Sequence, residues 1–466
     1  MANYNLPILT PFENGMTLVS LANELLSASQ VGFNVGSRND PPTCPGMAHT
    51  VEHHFCRGAS LAAIAAITQR HPERPTPISA RWVDRTNRRY FGGSDGPGIN
   101  VYTQTSHTGH GHHDLFSPRY LRKVFPVVAG TVRDAMHDVR DMRNRDEAIL
   151  PPQTFKVERA AVYNETAEND ELASMDGYRA ALKELYAVNP ARNHGDSDPT
   201  QLLKLKMGTM KQWAQSNYVP ANMRVIIIGP SRNVAVRMVR DVGLAAIGDD
   251  GRSSWKPTPW TYDHSDDVPV LTEVKRIELT RPGTKMRHVC ILWPTETYAS
   301  SDRLPLEVLV GLLKDRLEHV YREMNTECPG GVYHPSVELD QTSSHGFIEL
   351  KFSTSGDDDH AQQLIHRTLA VVEDVKADQS DAFTEDVDDG RFYLANSFRE
   401  QYQFMPGLFA DRIMEALANG DDTLVRFNGY CRNMLHVSPD RVHAVAVKYL
   451  HTDRFVLSFV RPQILT

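Results

Sequence analysis

Short apolar runs open the chain. "MTLVSLAN" (16–23) and "ASQVGFNVGS" (28–37) read as two strands, the first introduced by the Asn14-Gly15 turn pair and the second followed by the polar loop "RNDPPTCPG". Residues 117–139 and 151–170 then carry apolar positions at helical spacing, and the second of these segments starts with prolines suited to a first helical turn. "MRVIIIGP" (223–230) is a continuous apolar strand that closes the first half.

The same order returns downstream. Strand "MRHVCILW" (286–293) leads to helix 304–324, strand "GFIELKFST" (346–354), a helix over 359–376, and a closing strand "RFVLSFV" (454–460). "VKYLHTDRFVLSFV" echoes "SNYVPANMRVIIIG". Residues 245–268 mix Gly, Ser, Pro and Asp without a period and read as a linker. The pattern predicts α+β architecture in two related domains, 1–244 and 269–466, each a largely antiparallel sheet covered by helices.

Composition narrows the function. At 466 residues the chain is long enough for more than one core, and 23% charged residues with a formal charge of −8 leave no basic footprint for nucleic acid. No stretch reaches the apolar length of a membrane span. The five cysteines are scattered and form no C-x-x-C pair, and the first residues show neither a secretory nor a transit pattern. A reducing, cytoplasmic setting is the expectation.

Candidate chemistry sits in "GMAHTVEHHFCRGAS" (46–60). His49 and His53 are four apart, so on a helix both imidazoles point to one place, as a divalent metal requires. Glu52 shares that face, and the order H-x-x-E-H inverts the H-E-x-x-H zinc signature. Two imidazoles suit zinc, and a carboxylate that is not a ligand can act as the base of a zinc hydrolase. Downstream, "VERAAVYNE" places Glu158 and Glu165 two helical turns apart on one face, as candidates for a third ligand.

Together these segments resemble the pitrilysin/insulinase-type metallopeptidase family. Gly46, Ala48, His49, Glu52, His53, Phe55, Gly58 and Ser60 follow its first signature, and Glu158, Arg159, Val162 and Glu165 its second. "NGMTLVSL", "GGSDGPGINVYTQT" and "YVPANMRVIIIG" are similar to further family segments, so the likeness spans nearly the whole chain. It implies zinc held by His49, His53 and Glu165, with Glu52 as general base and Glu158 as a supporting carboxylate. It also implies peptide contacts from Asn100 and Thr103 on an edge strand and from Arg322 and Tyr333 in the second half. The family's two-domain members form half of a clamshell, which implies a homodimer or a heterodimer with a homologous subunit, around a chamber for unfolded or short peptides. A catalytically silent partner subunit is the alternative.

Departures from the family pattern are local. Residues 60–98 are extra sequence that can reshape the cleft, and "MNTECPGGV" lengthens the interval between Arg322 and Tyr333. "SHTGHGHHD", with His107, His110, His112 and His113, reads as an open polar turn after the edge strand, because glycines separate its histidines. His54 points away from the His49–His53 face, and Cys56 reads as a small buried apolar residue. "GDDDH" (356–360) reads as an acidic helix start.

Overall fold

The computed structural model describes residues 6–41, 43–55, 99–104, 106–115, 118–140, 152–170, 173–186, 199–248, 268–327 and 330–463. The extra sequence at 60–98, nearly all of the expected linker, Cys56 and Cys328 lie outside the described residues.

Two compact units emerge. The first comprises Met1–Thr166, Gly195–Thr261 and Arg399–Asn428. Its six strands are β1 (Ile8–Pro11), β2 (Thr17–Ala22), β3 (Ser27–Phe33), β4 (Ile99–Thr103), β5 (Thr108–Leu115) and β6 (Met223–Gly229). They run β1-β2-β6-β3-β5-β4 across the sheet, with β2 and β6 parallel and every other pair antiparallel. Val225 to Ile228 of β6 are fully buried, which accounts for the unbroken apolar run of a central strand covered on both faces.

One face of this sheet takes the helix Pro118–Arg140, whose Leu121, Phe125, Ala129, Val132 and Met136 recur at helical spacing and enter the core. Phe33, Phe55 and Tyr218 meet there as a ring cluster, with centroids 4.9 to 6.1 Å apart. The other face takes the helix Pro406–Ala418, which packs on β3, β5 and β6.

The second unit comprises Ala167–His194, Tyr262–Phe398 and Gly429–Thr466. Its strands are β7 (Lys275–Arg281), β8 (Arg287–Pro294), β9 (Tyr333–Gln341), β10 (Gly346–Thr354) and β11 (Val456–Pro462), in the order β7-β11-β8-β10-β9. β7 and β11 are parallel and the rest antiparallel. This repeats β2-β6-β3-β5-β4 strand for strand and direction for direction. Two related α+β domains are therefore present. Trp293, Phe352, Phe383 and Leu313 build the main core here, and Tyr178 and Leu182 of the helix Ala173–Leu185 cover Leu292 and Phe347 on the opposite face.

Chain order alone puts 173–185 with the first half and 406–418 with the second. The compact units trade these helices, each sheet being covered by a helix from the other half of the sequence.

One expectation is corrected. The histidine-rich stretch 107–113 is not an open turn: Thr108–Leu115 is the strand β5, and His107 and His110 are buried. Its glycines, like Gly32 of β3, answer to close approach. A Cβ on Gly32 would collide with Met414 of the covering helix, and one on Gly109 would fall 2.5 Å from the Gln30 amide. Helix starts were more legible: Asp357 caps the helix Asp358–Ala377 by accepting the His360 N–H at 2.9 Å. Among the described residues no helix is long and apolar enough to cross a membrane.

Candidate metal centre

The loop after β3 aims the histidine helix. Asp40 is buried and accepts the N–H groups of Gly46 (2.6 Å) and Ala48 (2.7 Å), so its carboxylate holds the start of the helix 47–55. Burial pushes the Asp40 carboxyl up to about 7, against the pull of those N–H groups. Met47, Val51 and Phe55 then pack into the core at four-residue spacing. His54 is also buried and stands outside the cluster.

On the half-buried face, His49 and His53 sit with ring centroids 4.9 Å apart. The helix Pro152–Asp170 buries Phe155 and Val162, seven residues apart, and Arg159 reaches the Leu205 carbonyl at 2.7 Å. This presents Glu158 and Glu165 to the histidines. Glu165 Oε2 lies 3.4 Å from His49 Nε2 and 3.3 Å from His53 Nε2, while Glu158 Oε2 lies 3.5 Å from His53 Nδ1. Ligand atoms of His49, His53 and Glu165 fall within 4.8 Å of one another.

Electrostatics match a metal-binding role. Burial, with the neighbouring His53, brings His49 down to about 4, so near neutral pH its imidazole keeps a free lone pair. For His53 burial pulls the same way, but the Glu158 hydrogen bond and the surrounding carboxylates outweigh it and the pKa is raised. Two nitrogens and one carboxylate oxygen form a donor set that zinc accepts, and a carboxylate on the far ring nitrogen fixes the tautomer of a ligating histidine.

Glu52 is 6% exposed and does not join the cluster. Thr103, the last residue of β4, donates its hydroxyl to Glu52 Oε2 at 2.9 Å. Burial raises the Glu52 carboxyl to about 7, with the charge of His53 and the Thr103 hydrogen bond opposing.

The other sequence candidates are distributed. Asn100 lies on β4 opposite Gly111. Arg322 is an exposed residue of the helix Arg303–Glu327 and pairs with Glu318 at 3.3 Å, and Tyr333 begins β9; both belong to the second unit. Sequence reasoning missed Asp40, although an acid upstream of a helix start is a recognisable cap signal. It also missed the Thr103–Glu52 bond, for which the sequence carries no local signal.

Residues 204–386 match the family model described as the peptidase M16 inactive domain. Over that segment the chain is similar to the M16, or pitrilysin/insulinase-type, family. The matched segment lies downstream of His49, His53 and Glu165, so the word "inactive" describes that segment and not the cluster. The fold is similar to a protease from Helicobacter pylori, with a TM-score of 0.70 and 15% identity over 98% of this chain and 100% of that one. A peptidase M16 inactive domain from Pseudomonas fluorescens gives 0.70 and 14% over 99% of each. A chain of Complex III2 from Candida albicans, with Inz-5 bound, gives 0.67 and 10% over 97% of this chain and 95% of that one. No curated protein matches the sequence.

Proposed function

We propose that this chain is a zinc-dependent endopeptidase acting on unfolded or short peptides. The observation that carries the reading is the convergence of His49, His53 and Glu165 with a separately held carboxylate, Glu52, on the same helix. His49, His53 and Glu165 would hold zinc, which would supply a Lewis acid for the carbonyl and lower the pKa of water. Glu52 takes a proton at Oε1, the oxygen Thr103 does not engage, and returns it to the leaving amine.

β4 ends the strand order of the first sheet, so an extended peptide adds to it as a further strand, past Asn100. Arg322 and Tyr333 grip the peptide backbone. The working form is a dimer, with a second copy or a homologous chain completing an enclosed chamber. The scattered cysteines, with no C-x-x-C pair in the sequence, support a reducing, cytoplasmic setting.

A second reading, a catalytically silent structural subunit, has the likeness to a Complex III2 chain in its favour. Glu52→Gln separates the two. We expect about one zinc per chain in parent and variant, with peptide turnover reduced by about 10²–10⁴-fold in the variant. Cleavage retained by Glu52→Gln sinks the mechanism, and a parent that binds zinc but cleaves nothing, alone or paired, supports the silent subunit.

A further inference from the structure

Three carboxylates surround two imidazoles here, and zinc accepts any of them. Each is held differently. Glu165 faces both Nε2 atoms, Glu158 lies behind His53 Nδ1, and Glu52 is tied to a strand through Thr103. We infer that Thr103 is a positioning residue that keeps Glu52 out of the metal's coordination sphere, so that the carboxylate nearest the histidines in sequence remains a base. This rests on the zinc peptidase reading above.

Glu52 has three side-chain torsions and a helix position between the two histidines, so an untethered Glu52 can swing onto the metal. Thr103 opposes this from a fixed point. Its β-branched side chain has few rotamers, and its strand is paired to β5, with Thr103 opposite Thr108. The neighbouring residue, Tyr102, is anchored on the other side of the strand: its hydroxyl donates to Asp411 Oδ1 at 2.7 Å, and Gln30 donates to the same oxygen at 3.0 Å. A strand pinned on that face presents Thr103 on the opposite one.

The Thr103 hydroxyl proton is committed to Glu52 and is not available to donate to a peptide. Under this inference the chief role of Thr103 is toward Glu52, beside the substrate contact that the family resemblance implies.

Thr103→Val keeps the shape and removes the donor, and Thr103→Ser keeps the donor. Three quantities are read: kcat and KM on a fluorogenic peptide, the visible spectrum of the cobalt(II)-loaded protein, and zinc affinity by chelator competition. Thermal unfolding of each variant establishes that it is folded.

For Thr103→Val we expect kcat to fall about 10–100-fold with KM within about twofold, and the cobalt spectrum to change as a further carboxylate joins the metal. Zinc affinity is unchanged or tighter. Thr103→Ser restores both kcat and the parent spectrum. A raised KM with unchanged kcat and cobalt spectrum overturns the inference and returns Thr103 to substrate contact; so does a Val variant whose spectrum equals that of the parent. Failure of the parent chain to take up cobalt is a different result, visible before any variant is made, and it overturns the zinc reading together with this one.

Discussion

Counted from their hairpins, the two sheets align residue by residue. Gln104 N–H bonds the His107 carbonyl in the first as Thr342 N–H bonds the His345 carbonyl in the second, and each histidine has a serine hydroxyl at its Nδ1. From that point the units diverge. His110, stacked on Phe55, stands where Ile348 fills the second core. Gly109 and Gly111 stand where the second sheet has Phe347, packed near Tyr178 and Tyr186, and Glu349. Ahead of the following helix, Asp40 turns inward onto backbone N–H groups, while Asp302 collects Lys448, Arg441 and Tyr449 near the surface. The shared topology is carried by apolar strands in both units. At His110 the first unit buries a polar group where the second places apolar bulk, and the first is the unit that holds the His49, His53 and Glu165 cluster.

Writing the second unit's residue into the first gives the largest expected effect. Burial holds His110 down to about 3, and its Nε2 has no hydrogen-bond partner among the described residues. A depressed histidine pKa stabilises the fold fully above the unfolded value near 6.5, and that stability is lost as pH falls toward the folded value. His110→Ile should therefore gain on the parent by up to about 1.4 kcal/mol per pH unit below about 6.5, and by a constant amount above it. Asp40 and Glu52, both raised to about 7, slope the opposite way, but they are present in both chains and cancel in the difference. Urea unfolding across this range checks it. Parallel pH curves for the two chains would show that His110 is not buried in its neutral form.

Glu158 has a middle-sized role. Glu158→Gln keeps the shape but weakens the hold on His53 Nδ1, and zinc affinity should fall about 10–100-fold in chelator competition. An unchanged affinity would remove Glu158 from the site.

In the second unit, Lys448 bonds Glu296 at 2.6 Å and Asp302 at 2.8 Å, but it is about half exposed. Lys448→Ala should lower stability by only about 0.2–1 kcal/mol in denaturant unfolding. A loss several times larger would mean that this surface network carries more of the second unit's stability than its solvent exposure implies.

Much of the fold was legible because its signals are local. The run at 223–229, the helical spacing of Leu121, Phe125, Ala129 and Val132, and the repeated strand order all follow from side chains that must be buried at a fixed period. His49, Glu52, His53, Glu158 and Glu165 were legible for the same reason, since helical geometry alone puts each set on one face. β5 was not. Glycines between histidines look like a turn in sequence, and their cause is close approach from neighbouring strands: a Cβ on Gly109 would meet Gln30 and Tyr102, and one on Gly111 the Ser29 carbonyl.

By itself, then, the sequence determined the strands and helices, their duplication and the residue types able to bind a metal, because periodic burial and helical spacing act over a few residues. Tertiary structure alone decided which helix covers which sheet, that His107 and His110 are buried, and that Thr103 bonds Glu52. Those outcomes depend on groups that meet in space after long chain separations, where packing and directed hydrogen bonds choose the partner.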